Sequence, residues 1–227
     1  MSFTTEARAA ANVLWEKSMR HPFIQDMQAG TLAPEVFRYY LLQDRYYLEQ
    51  FASIHQKAAA LAEQEEEKQL FLAGVTGLEE AEIAIREGFF YELGITDEEI
   101  RAAPIAPTTY HYTTHMYSEL SSGSTARTAA ALLPCYWLYQ EMGEHLVESG
   151  SSHPLYQRWI ETYDSPEYKE AVTRQRELTD RLAQSATAEE RQAMLQGFLV
   201  SSYQEWKFWE MAYVQEGWEE APCIHIN

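Results

Sequence analysis

Apolar residues recur along this chain every three to four positions, and capping residues, prolines and glycines punctuate the runs. This is the pattern of helices joined by short loops. In Pro34–Ala62 the helical period puts Phe37, Tyr40, Leu41, Asp44, Tyr47, Leu48 and Phe51 on one face. A second stripe holds Phe198, Ser201, Ser202, Glu205, Phe208, Trp209 and Ala212, and a third Ala131, Leu132, Cys135, Tyr139, Met142 and Leu146. The punctuation predicts about eight to ten helices. The longer ones lie near Glu6–Met19, Pro34–Ala62, Lys68–Glu92, Tyr110–Leu120, Thr128–Ser149, Pro166–Gln184 and Ala188–Glu216. Thr96 to Glu99 and Thr187 to Glu190 read as capping boxes, and hydroxyls at Ser152 and Ser165 stand just ahead of prolines. Loops are expected at His21–Pro22, Gln28–Ala33, around Gly94, at Ala103–Pro107, Ser121–Thr125 and Gly150–Ser151. No run alternates with period two, no repeat appears and no low-complexity linker divides the chain. The expected fold is therefore an all-α bundle, with residues 1–227 as a single domain.

Two of the stripes contain a carboxylate. Asp44 stands in the middle of the first, and Glu205 has aromatic neighbours one turn onward in the second. An ionised carboxylate buried without partners costs several kcal/mol, so each must shift its pKa, accept hydrogen bonds or line a cavity. Either alone is compatible with simple packing against a Tyr or Trp. Cys135 adds a third polarisable group, immediately after Pro134, which predicts a kink or a fresh helix start. At a helix N-terminus the dipole would favour the thiolate, whereas a nearby carboxylate would oppose ionisation but could accept the proton. By residue type alone, a lone buried Cys is most often a small hydrophobe. The 15 Tyr, 6 Trp and 9 Phe exceed the needs of a helical core. Tyr47, Tyr112, Tyr139 and Tyr163 suit a planar heteroaromatic ligand, offering rings for stacking and hydroxyls for its nitrogens.

Composition then narrows the partners. The net charge of -18 comes without any Lys/Arg cluster, which argues against nucleic acid and anionic membrane. The longest uncharged run, Thr128–Gln140, is too short to span a bilayer, and Met1–Lys17 lacks the layout of a secretory signal. Only Cys135 and Cys223 are present, without a CxxC pair, as expected of a reducing compartment. The expected location is the cytoplasm, with no disulfide and no metal needed for folding.

Several segments, read together, resemble the TenA family, the thiaminase II or aminopyrimidine aminohydrolase group. They are His21–Phe23, Phe37–Tyr47 (FRYYLLQDRYY), Tyr112–Met116, Leu132–Tyr139 (LLPCYWLY), Trp159–Tyr163 (WIETY) and Tyr203–Trp209 (YQEWKFW). The resemblance implies a haem-oxygenase-like helical bundle that binds no haem, needs no metal or organic cofactor, and assembles as a homotetramer. It further implies thiamin salvage: hydrolysis of 4-amino-5-aminomethyl-2-methylpyrimidine to the hydroxymethylpyrimidine and ammonia, and cleavage of thiamin with release of the thiazole. On the matching positions Cys135 is the nucleophile, Glu205 the acid/base, and Asp44 the carboxylate that binds the ring and helps activate the thiol. Tyr47 and Tyr112 flank the ring, while Tyr139 and Tyr163 hydrogen-bond near substrate or cysteine.

Two other readings compete. A di-metal oxidase on a similar bundle would use Glu-x-x-His pairs, a spacing that occurs nowhere here, although His111 and His115 could share a face and Glu141 precedes His145 by one turn. A non-catalytic pyrimidine-binding or regulatory protein would need no nucleophile, and nothing basic here suggests contact with DNA. No GxSxG, GxGxxG, P-loop or HExxH string is present.

Overall fold

The structure is a computed structural model that describes residues 2–219 and, for 79–87, the backbone alone. Cys223 therefore lies outside the described residues, as does the tail beyond Glu219. Within them the chain forms eleven α-helices and one π-helical segment. The expected helix over Glu6–Met19 is two, α1 (Phe3–Ala10) and α2 (Asn12–Met19), broken at Ala11. Ala11 is fully buried, and its N–H is shared between the carbonyls of Ala7 and Ala9. The break lets Phe3 and Trp15 both enter the core. No Gly or Pro marks it, so the pattern alone reads straight through.

α3 (Pro22–Ala29) starts on His21, whose ring Nδ1 accepts from Phe23 N, and stops at Gly30 with φ 73°. α4 (Pro34–Leu61) has Pro at its first position, where the missing N–H costs nothing. α5 (Glu65–Ile85) passes into a π-helical segment, Arg86–Phe90, where a single α-helix was expected. A π-turn re-aims the side chains that follow it, and here Phe89 and Phe90 point into the protein.

α6 (Asp97–Ala102) carries the Thr96 capping box with both reciprocal bonds, and α7 (Pro107–Ser121) follows. α8 (Thr125–Val147) continues unbroken through Pro134, so no fresh helix starts at Cys135. α9 (Pro154–Thr162) is capped by His153 rather than Ser152, whose hydroxyl donates instead to Ala29 O. α10 (Pro166–Ser185) is capped by Ser165, as expected. α11 (Ala188–Val214) is capped by Thr187, but its Glu190 does not return the bond. Glu190 accepts from Ser124 Oγ at 2.6 Å, tying the start of α11 to the cap of α8.

α8 and α11 form the most extensive helix pair, α4 packs along α5, α10 lies on α8, and α7 bridges α4 and α11. The shared core is mostly aromatic: Trp15, Phe23, Phe37, Tyr40, Phe51 and Trp209 are all fully buried. Each such ring contributes roughly 1.5–3 kcal/mol on burial. Trp209 stacks on Tyr40 with ring centroids 5.6 Å apart, which joins α11 to α4. No helix among the described residues is long and apolar enough to cross a membrane.

Candidate active site

A cavity of about 360 Å³ lies between α4, α5, α8, α9 and α10. Asp44, Cys135, Tyr139 and Tyr163 line it directly, together with Phe51 and Trp159. Leu70, Ala73 and Arg174 also line a shallow surface groove, so the cavity opens to solvent between α5 and α10. Glu205, Tyr112 and Tyr47 are buried and pack behind the lining, around Cys135. The residues singled out from the sequence thus converge on one place, drawn from α4, α7, α8, α9 and α11.

Cys135 is a free thiol in mid-helix, partly open to the cavity and away from the N-terminus of its own helix. Burial raises its pKa well above the ordinary thiol value, and the charge of Glu205 raises it further; the Tyr47 hydroxyl opposes this, and Asp44 adds to it. The thiol at rest therefore keeps its proton. Tyr47 is held by its ring, 5.0 Å from Tyr112 and 5.7 Å from Phe208 between centroids.

Neither carboxylate has a cationic partner among the described residues. Burial pushes the Asp44 carboxyl up to about 7. Burial also pushes Glu205 up to about 8, against a hydrogen bond from Tyr112 that favours its charged form, and Asp44 adds to the rise. The Tyr112 hydroxyl donates to Glu205 Oε1 at 2.6 Å. With that oxygen occupied as acceptor, the proton of the neutral acid sits on Oε2. The pair can therefore exchange protons near neutrality, which is what acid/base work requires.

The far wall is aromatic. Tyr139 and Tyr163 rings lie 4.8 Å apart, Trp159 is 4.9 Å from Tyr163, and the Tyr40 hydroxyl meets that of Tyr139 at 3.3 Å. Tyr40 and Phe51 were legible only as members of an apolar stripe, and Trp159 and Tyr136 only within the resembling segments. Among the described residues no group of three or more His, Cys, Asp or Glu side chains is arranged to hold a metal ion. His111 and His115 do not gather other ligands, and His115 Nε2 instead meets Gly197 O at 3.2 Å.

An all-helical bundle enclosing an aromatic cavity with a thiol and two proton-holding acids has the form of a small-molecule site on a haem-oxygenase-like scaffold. A protein of heme oxygenase-like fold from Shewanella denitrificans OS217 shares that architecture, with TM-score 0.71 over 93% of this chain and 92% of that one, at 11% identity. The chain belongs to the TENA/THI-4/PQQC family, whose sequence model matches residues 8–215. It is 43% identical over 232 residues to the aminopyrimidine aminohydrolase of Bacillus subtilis strain 168, covering 100% of this chain and 96% of the relative. The crystal structure of a TenA family transcription regulator from Silicibacter sp. TM1040 superposes with TM-score 0.86 at 27% identity, covering 93% and 96% of the two chains. The resemblance and the all-α fold read from the sequence both hold.

Proposed function

We propose that this enzyme hydrolyses 4-amino-5-aminomethyl-2-methylpyrimidine to the 5-hydroxymethyl compound and ammonia, and cleaves thiamin to the same pyrimidine and its thiazole, in thiamin salvage. The observation that carries the reading is the meeting, at one aromatic cavity, of a thiol with two acids that no cation compensates. The name of the Bacillus relative supports the same chemistry.

In this reading the pyrimidine lies in the cavity with Asp44 gripping its edge and Tyr139 and Tyr163 supplying hydroxyls, while the touching rings of Tyr47 and Tyr112 flank it from behind Cys135. The ring is electron-rich and its methylene-linked group leaves only when a nucleophile has added. Cys135 transfers its proton to a neighbouring carboxylate, with Asp44 in position to assist, and the sulfur bonds to the ring carbon beside the substituted one. Glu205 protonates a ring nitrogen as that bond forms. As the ring nitrogen returns its proton to Glu205, the electron pair freed there expels the substrate's ammonium group as ammonia. Water adds to the exposed methylene, losing a proton to Glu205 as that acid protonates the ring nitrogen again; the C–S bond then breaks, the ring nitrogen releases its proton to the ammonia, and the thiolate recovers its own from the first carboxylate, which restores aromaticity. The sum is substrate plus water giving alcohol plus ammonia, with the enzyme unchanged.

The deciding experiment measures ammonia release from the aminomethylpyrimidine, with thiamin in parallel, for wild type and Cys135→Ser. Loss of turnover with binding retained supports nucleophilic catalysis. An inactive wild type or a fully active variant sinks the reading. We also propose a cytoplasmic homotetramer: a reducing compartment keeps Cys135 free, and the strongly exposed Tyr91, Val13 and Val214 offer apolar surface for association. Light scattering that returned a monomer would remove the tetramer.

A further inference from the structure

His55 is fully buried and belongs to neither the acids nor the nucleophile described above. Its Nδ1 lies 2.9 Å from the Phe51 carbonyl oxygen, and its Nε2 lies 2.9 Å from the Tyr136 hydroxyl. A carbonyl can only accept, so Nδ1 carries the hydrogen. Burial lowers the His55 pKa to about 4, and the ring is neutral at ordinary pH. Nε2 is then a bare lone pair, and the Tyr136 O–H must donate to it. With its only proton committed, the Tyr136 oxygen offers nothing but lone pairs to any other neighbour.

The place of this oxygen gives the arrangement a use. Tyr136 lines the cavity, and its hydroxyl would stand 3.1 Å from a Cβ added at Gly74, itself a lining residue. The same Cβ would lie 2.5 Å from His55 Cδ2, so glycine is what lets the pair approach α5. Gly74 follows Ala73, which with Leu70 belongs to the mouth. The acceptor therefore lies beside Gly74, next to the residues of the mouth. Asp44, Cys135 and Tyr136 line one cavity, and with the pyrimidine held at the first two we take the group attached to its methylene to extend toward the mouth and so toward this acceptor. An ammonia-type leaving group brings N–H donors there, whereas the thiazolium of thiamin brings none.

We propose that the Tyr136 hydroxyl, turned by His55 into a pure acceptor, selects for a leaving group with N–H donors, a primary amine over a thiazolium. His55 acts through Tyr136 and is a positioning residue. The inference rests on the aminopyrimidine reading of the site and assigns the specificity within it.

The test compares kcat/KM for the aminomethylpyrimidine and for thiamin in wild type, Tyr136→Phe, His55→Phe and His55→Gln. Loss of a hydrogen bond to a charged amine should lower the amine-to-thiamin ratio about tenfold or more in Tyr136→Phe. His55→Phe, which frees the hydroxyl to donate, should lower the ratio in the same direction, while the amide oxygen of His55→Gln can accept in the same place and should preserve it. A merely structural role would depress both substrates together, and an unchanged ratio in Tyr136→Phe overturns the inference. Calorimetric affinities in the Cys135→Ser background carry the same comparison where thiamin turns over too slowly to time. A wild type that turns over neither substrate sinks the reading of the site itself, and the inference with it.

Discussion

On the outside of the bundle, several carboxylates are matched with guanidinium groups. Arg8 grips Glu141 through Nε and Nη2 at 3.1 and 2.7 Å, and Arg127 holds Glu119 at 2.8 Å. Inside, Asp44 and Glu205 face tyrosines and a thiol. The outer pairs lend a little stability. The inner acids, raised to about 7 and about 8, hold their protons into the neutral range and cost stability when they lose them. The same side chains thus hold or release a proton according to their surroundings, and burial without a cationic partner among the described residues is what raises the inner pair.

The largest expected effect comes from fixing the interior acid in one state. Glu205→Gln retains the acceptor for Tyr112 but cannot pass a proton, so kcat should fall by about 10²–10⁴-fold with the thermal melt unchanged or raised. Single-turnover kinetics and calorimetry would check both halves, and an active Gln variant would break the comparison.

A second prediction concerns pH. The unfolded carboxyls titrate near 3.8 and 4.5, whereas the folded ones are raised to about 7 and about 8. Between these limits the native state binds more protons than the unfolded one, so the stability that these groups confer is complete at the acid end and drains away as pH rises through the folded values. Relative to Asp44→Asn/Glu205→Gln, wild type should lose on the order of a few kcal/mol on moving from about pH 5 to about pH 8. Denaturant melts of both proteins at each pH give the difference, and parallel curves would refute it.

Geometry supplies a smaller perturbation. A Cβ at Gly143 would stand 2.9 Å from the Tyr163 carbonyl carbon and 3.0 Å from its Cβ, so Gly143→Ala must push the end of α9 away from α8. We expect a loss of about 1–3 kcal/mol by denaturant melt, accompanied by weaker substrate binding as Tyr163 shifts. Least of all, Arg8→Ala should cost about 1 kcal/mol or somewhat less and leave kcat/KM unchanged, since it breaks an outer pair and a stacking contact on Trp15.

The stripes that contain Asp44, Cys135 and Glu205 were legible because a helix of known period has only one inner face, and a polar group on it stands out. The resemblance then joined these stripes into one site. What the sequence hid was of two kinds. The break at Ala11 carries no glycine or proline at the point of change, and Gly88 within the π-turn at Arg86–Phe90 is a lone glycine that does not tell a π-turn from a continuing helix. Glu190 meets Ser124, and Tyr136 meets His55, only because distant helices happen to lie side by side. Periodicity shows which way a residue faces but not what it meets.

The thiol's station in mid-helix bears on how such a cavity can be redesigned. Where a reactive group rides on a loop, exchanging the loop retargets the enzyme while the scaffold stays put. Here Cys135 is locked to the axis of α8, and the walls around it belong to four other helices whose positions depend on one another. New specificity in this scaffold must therefore come from concerted exchange of wall side chains, and the positions most tolerant of it are Leu70, Ala73 and Arg174 at the rim, which meet solvent on one side.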